Sequence, residues 1–230
     1  MEKVLKLYKE LGETPLACLE RFRSENPEYE NEKMTYAGRL DPMAEGLLIA
    51  LVGEECKKKD EYLGLDKEYI FEVLFGIQSD TYDILGIPTI NHDDSLIRAN
   101  NRIATESIIG KRIQEYPAYS SRTFQMARDG VDFEPMTKEV EIYDLEQLEE
   151  REIGKAKLLA EVLARIDLIK GDFRQEEIKS AWQGIDWPEN LHIAKFKINC
   201  SSGTYVRSIA NEMGGIAYSI KRTRVGGDKL

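Results

Sequence analysis

Histidine is nearly absent from this chain. His92 and His192 are the only two in 230 residues, too few for a histidine metal cluster and a poor basis for imidazole catalysis. Cysteine is sparse as well: Cys18, Cys56 and Cys200 are odd in number and far apart, which excludes a disulfide framework and a paired-cysteine zinc site. No apolar run approaches membrane-spanning length, and the mixed charge after Met1-Glu2-Lys3 is unlike a signal peptide. The expected location is therefore cytoplasmic, with no membrane contact. Repeats and low-complexity linkers are also missing, so residues 1–230 read as a single domain. What is left to carry chemistry is carboxylate, tyrosine and arginine.

Basic charge is in deficit too. The formal net charge of −10 argues against a uniformly basic nucleic-acid binder, since phosphate contacts supply most non-specific affinity. A local basic face remains available from Lys57-Lys58-Lys59, Lys111-Arg112 and Lys221-Arg222-Thr223-Arg224. Each cluster alone reads more readily as solvated surface.

The patterning predicts an α+β domain, a mixed sheet with flanking helices. Val4, Leu5 and Leu7 open an extended segment, and Thr14-Pro15 is a helix start with Leu16, Leu19 and Phe22 at helical spacing. Ser24 to Lys33 reads as a polar surface loop. The apolar run between Gly46 and Gly53 suits a buried strand, and Lys67 to Gly76 has strand composition. Gln78 to Gly86 reads as a turn and lacks calcium-loop spacing. A helix is expected around 103–109, and an aromatic and basic loop at Tyr116-Pro117-Ala118-Tyr119-Ser120-Ser121-Arg122, where rings can stack on bases. Residues 154–182 read as helical, with a Leu158, Leu159, Val162, Leu163, Ile166 stripe and an Asp172/Gln175 capping pair. Phe196, Ile198 and Cys200 alternate as in a half-buried strand.

Two residues invite a chemical reading. Asp41 lies in Gly38-Arg39-Leu40-Asp41-Pro42 just ahead of the most apolar run, where local rules alone favour a cap or turn over a reactive site. Thr204 is expected to cap a helix carrying Val206, Ile209, Ala210 and Met213 on one face, which puts Arg207 in its first turn. A cation there opposes the helix dipole and is partly desolvated, so it needs a carboxylate partner.

Four stretches together resemble the TruB family of pseudouridine synthases. Gly38-Arg39-Leu40-Asp41-Pro42-Met43-Ala44-Glu45-Gly46 is similar to the family's G-x-L-D-P-x-A-x-G segment. Lys67-Glu68-Tyr69, followed by Ser79-Asp80-Thr81-Tyr82-Asp83-Ile84-Leu85-Gly86, is similar to its K-x-Y and TDTxDxxG regions. Cys200-Ser201-Ser202-Gly203-Thr204-Tyr205-Val206-Arg207-Ser208 resembles CSKGTYIRSL, and Arg222-Thr223-Arg224-Val225-Gly226 resembles RRTRxG. The order matches over most of the chain.

The resemblance implies a pseudouridine synthase catalytic domain with a largely antiparallel central sheet. It makes Asp41 the catalytic aspartate, as nucleophile at the sugar or as base, Tyr69 the ring stacked on a flipped uracil, and Arg207 the partner of Asp41. Tyr36, Arg39, Tyr119, Ile220, Arg222 and Arg224 become the substrate contacts. The isomerisation is redox-neutral, so neither metal nor cofactor is expected. The implied partner is RNA, foremost the tRNA T-arm with uridine 55 as the target. Alternatives are another RNA with a partner protein, or a non-catalytic RNA binder or folding chaperone.

Departures from the family pattern bear on RNA docking. Tyr36 stands where the family often carries histidine, and Ala127-Arg128 follows Tyr119-Ser120 unusually soon. A helical insertion is expected around 146–190. With the sequence ending at Leu230, the C-terminal PUA-type RNA-binding domain of many members is not expected, and a protein partner is the expected replacement for that surface.

Overall fold

The computed structural model describes residues 2–90, 107–115 and 137–230. Strand β1 (Val4–Lys9) leads to helix α1 (Pro15–Glu25), whose start is as predicted: the Thr14 hydroxyl accepts the Ala17 N–H at 3.1 Å and Pro15 occupies the first turn. A 3₁₀ turn (Pro27–Tyr29) and strand β2 (Met34–Ala37) follow. Strand β3 (Ala44–Val52) is the apolar run, fully buried from Leu47 to Leu51. A 3₁₀ turn (Gly53–Lys58) and the short α2 (Lys59–Leu63) lead to β4 (Lys67–Phe75), with the hairpin β5 (Ile77–Ser79) and β6 (Pro88–Ile90) after it. Strands β7 (Gly110–Glu115) and β8 (Thr137–Gly154) precede helices α3 (Lys155–Asp167) and α4 (Gln175–Gly184). The chain then forms β9 (Asn190–Cys200), α5 (Val206–Glu212), β10 (Gly215–Val225) and β11 (Asp228–Lys229).

The sheet runs β1-β3-β10-β4-β9-β8-β7, with β2 on β3 and β11 on β10. Its pairs are antiparallel apart from β3 with β10, where Ala44, Glu45 and Gly46 face Ile220, Lys221 and Arg222. Gly46 is required there. At φ +110°, a Cβ on it would lie 2.3 Å from the Arg222 carbonyl oxygen, closer than any side chain tolerates.

One core fills the space between the sheet and α5, including Phe71, Phe196, Ile198, Ile209 and Met213. A second lies under α3 and α4, where Leu158, Val162 and Ile166 are fully buried, each contributing about 1.5–3 kcal/mol of apolar transfer free energy. This helical pair buttresses the turn after β5: the Trp182 indole donates to the Gly86 carbonyl at 3.2 Å, and Arg174 meets Asp80 at 3.0 Å.

Several local expectations are corrected. Residues 146–154 belong to strand β8, although glutamates are poor strand formers. Pairing with the buried β9, the buried Leu145 and Ile153, and the 2.7 Å Lys195–Glu149 contact override propensity. Thr204 does not cap α5, because its hydroxyl turns back to Ser201 O at 3.0 Å and Tyr205 holds the cap position. The Asp172/Gln175 pair is no capping box either. Arg174 stands at the cap in a left-handed conformation, and the Gln175 amide accepts from Phe173 N and donates to Gly171 O. Most of the helix expected at 103–109 lies outside the described residues, as does the loop from Tyr116 to Arg122. No helix among the described residues is long and apolar enough to cross a membrane.

Candidate active site

Asp41 sits in the connection between β2 and β3, a turn rather than a helix cap: its carbonyl accepts the Ala44 N–H at 3.0 Å. The connection is fastened from behind. Gly12 N–H donates to Pro42 O at 2.9 Å, and the buried Lys9 ammonium donates to the carbonyls of Ala44 and Glu10. Arg222, 1% exposed, donates from Nε to Leu47 O at 2.7 Å and from Nη2 to Gly38 O at 3.1 Å. With its backbone so held, Asp41 leaves its carboxylate 31% exposed.

Arg207 comes to Asp41 from α5, across the sheet, and the predicted pairing is present. Its Nε lies 2.9 Å from Asp41 Oδ2, while Nη1 donates to Thr81 O at 2.9 Å and lies 3.6 Å from Asp83 Oδ2. The Asp41 contact is a close ion pair without the alignment of a hydrogen bond. Burial alone would weaken the charge on Arg207, but Asp41 and then Asp83 outweigh it and raise its pKa.

Asp83 was missed as a site residue because its sequence context is ordinary turn chemistry. It is buried, its Oδ1 accepting from the Thr81 hydroxyl at 2.6 Å and from Leu85 N–H at 2.9 Å. Burial pushes its carboxyl pKa up, opposed chiefly by Arg207. The guanidinium is thus held between a half-open carboxylate and a closed one.

A cavity of about 200 Å³ opens on this pair, walled by Tyr69, Ile220, Ala44, Val206 and Lys67. That is below the ~300–1,000 Å³ of drug-sized pockets and suits one heterocyclic ring. Tyr69 is buried, and burial raises its phenol pKa against the opposing effect of Arg222. Lys67, also missed, gives its ammonium to the carbonyls of Leu63 and Leu65; burial first, then Arg222, lowers its pKa to about 8. A wider cavity of about 490 Å³ adjoins through Arg39, Leu40, Asp41 and Arg207 and reaches Tyr36, Leu16, Leu85 and Phe173.

The remaining expected contacts divide. Arg39 is exposed, lines both cavities and has no hydrogen-bond or ion-pair partner among the described residues. Tyr36 lines the wider cavity, with Lys59 Nζ 5.4 Å from its ring centroid. Arg222 reaches the smaller cavity while its guanidinium holds the Asp41 connection. Arg224 lines neither cavity and bonds Gly226 O and Asn199 Oδ1, both at 2.8 Å. Tyr119 lies outside the described residues. The basic clusters are largely engaged: Lys57 with Glu54, Lys58 with Glu55, Arg112 with Glu212, and Lys221 over the Tyr8 ring. Among the described residues no group of three or more His, Cys, Asp or Glu side chains could hold a metal.

A carboxylate, its guanidinium partner and a tyrosine thus surround one ring-sized cavity. Residues 27–173 match the TruB family pseudouridylate synthase N-terminal domain, so the chain belongs to this family. It is 29% identical over 235 residues to the tRNA pseudouridine synthase B of Borreliella afzelii, covering 96% of this chain and 69% of that protein. The tRNA pseudouridine synthase B of Caulobacter vibrioides is 28% identical over 208 residues, covering 85% and 55%. Among solved structures, a chain of a Cbf5-Nop10-Gar1 complex superposes with a TM-score of 0.56 at 18% identity, covering 98% of this chain and 50% of that one. A chain of an H/ACA RNP bound to a substrate RNA containing 2'-deoxyuridine gives 0.55 at 18%, covering 99% and 48%. The protein therefore spans about half the length of these solved chains, and the likeness to them is one of fold.

Proposed function

We propose that the protein is a tRNA pseudouridine synthase of the cytoplasm that isomerises uridine 55 of the T-loop. The observation that carries this reading is the Asp41–Arg207 ion pair at the mouth of the ring-sized cavity walled by Tyr69; the names of the relatives support tRNA as the substrate. The reaction breaks the bond from C1′ to N1, rotates the uracil and joins C1′ to C5. The C5 proton is lost and N1 gains one, so no oxidant and no water is consumed. Asp41, paired with Arg207, either attacks C1′ or removes a ribose proton. The base must leave the RNA stack to reach it, and Tyr69 with Ile220 offers the face that offsets the cost of unstacking. Arg39, exposed on both cavities and without a partner among the described residues, is offered to a phosphate.

The test is unmodified tRNA transcript incubated with wild type and Asp41→Ala, followed by mapping of pseudouridine. Wild type should modify the T-loop uridine and the variant should leave it unchanged. Equal product from both would remove Asp41 from the mechanism, and product at another position would redirect the substrate.

A further inference from the structure

Helix α5 has only seven residues, and its cap residue, Tyr205, makes no side-chain capping bond. A helix this short does not hold its own start in place. Something else sets where Arg207 stands, and the contacts around residues 201–205 identify it.

Gln114 is 2% exposed on β7. Its Oε1 accepts the Tyr205 N–H at 2.7 Å and its Nε2 donates to Tyr205 O at 3.0 Å. One side-chain amide thus satisfies both backbone groups of a single residue 91 positions away. Two residues earlier on the same strand face, Arg112 pairs with Glu212, the last residue of α5. From β8, Glu141 and Ser201 exchange two bonds of 2.8 Å. The turn and helix that carry Arg207 are gripped at both ends by the β7–β8 pair.

We propose that Gln114 is a positioning residue for the reaction, fixing the start of α5 so that Arg207 meets Asp41. This role rests on the proposed synthase activity. Tyr205 O also accepts the Ile209 N–H at 3.2 Å, so the atom Gln114 holds belongs to the first helical bond of α5. Arg207 follows two residues later, closely packed, and its contact with Asp41 is one unaligned ion pair. A small displacement of Tyr205 therefore passes to that distance, because Thr81 O and Asp83 hold the guanidinium by Nη1 and leave Nε to follow the helix.

The experiment compares Gln114→Met, similar in size but unable to bond the backbone in this way, with Gln114→Glu. Single-turnover rates and KM on tRNA transcript are measured alongside thermal unfolding and amide hydrogen exchange of α5. Gln114→Met should lower the rate roughly ten- to hundredfold with KM unchanged and faster exchange at Ile209. In Gln114→Glu the carboxylate opposes Tyr205 O, whereas the protonated acid donates to it, so the variant-to-wild-type rate ratio should rise as pH falls. Among the described residues, Lys138, cross-strand from Gln114 on β8, Arg112 on β7, and Tyr205, Arg207 and Glu212 on the turn and helix it grips are ionisable; taking the ratio cancels the titration that both proteins share.

An unimpaired Gln114→Met, a loss confined to KM, a flat Gln114→Glu ratio or unchanged exchange at Ile209 would overturn the positioning role alone. A wild type that makes no pseudouridine would overturn the synthase reading and this role together.

Discussion

Two carboxylates flank Arg207, and their surroundings differ. Asp83 lies in a turn backed by the α3–α4 pair, 5% exposed, with Oδ1 taken by Thr81 and Leu85 and Oδ2 3.6 Å from the arginine. Asp41 lies in a connection whose backbone is fastened by Lys9, Gly12 and Arg222, yet its side chain is 31% exposed beside a cavity. One acid is immobilised through its side chain, the other through its main chain. A carboxylate held by its backbone keeps oxygen lone pairs for a substrate, while one held by its oxygens serves as an anchor.

That contrast is broken most sharply by exchanging the losses. Asp41→Asn should abolish pseudouridine formation, a loss of roughly 10⁴-fold or more, with unfolding little changed. Asp83→Ala should do the reverse, costing about 3 kcal/mol of stability in urea unfolding by leaving a buried guanidinium short of an anion, with a milder rate loss of roughly ten- to hundredfold in folded protein. Equal patterns from the two variants would erase the distinction.

Tyr69 sharpens the Asp41 side. Tyr69→Phe should keep base stacking and lose any proton relay from C5, lowering the rate while RNA affinity stays near wild type. Tyr69→Leu should weaken both, and identical turnover for the two variants would remove the relay.

The smallest effect concerns the fastening behind Asp41. Burial lowers the Lys9 pKa from its ordinary 10.5 to about 8, so between these values the folded state has released a proton that the unfolded state retains. Stability contributed by Lys9 therefore rises with pH across this window and is lost as pH falls through about 8. The rise approaches about 3 kcal/mol; in urea unfolding at several pH values it should be present in wild type and missing from Lys9→Met.

How much of this was legible depended on whether a residue's partner could be inferred from its own position. Arg207 advertised a missing anion because it falls in a first helical turn, and the family resemblance named Asp41 as that anion. Lys9 carried a signal that went unused: it shares the strand face of Leu5 and Leu7, all three buried, so its parity pointed inward. Asp83 carried none, since a turn aspartate reads the same whether it faces water or a buried arginine. Strand β8 was hidden by its glutamates, because what makes it a strand is β9, 46 positions away at the Lys195–Glu149 contact. Gln114 was equally silent, as its partner is the backbone of a distant residue and backbone has no sequence signature.

The parallel pairing of β3 with β10 has a consequence for biosynthesis. Arg222 reaches Leu47 across 175 positions, and the ribosome delivers the chain from its N-terminus. A nascent chain that has not yet emerged as far as β10 already carries the aspartate, the tyrosine and the arginine, yet lacks the brace that shapes the Asp41 connection. The Asp41 connection therefore waits, for the last of its fastenings, on a residue made 175 positions after the carbonyl it binds.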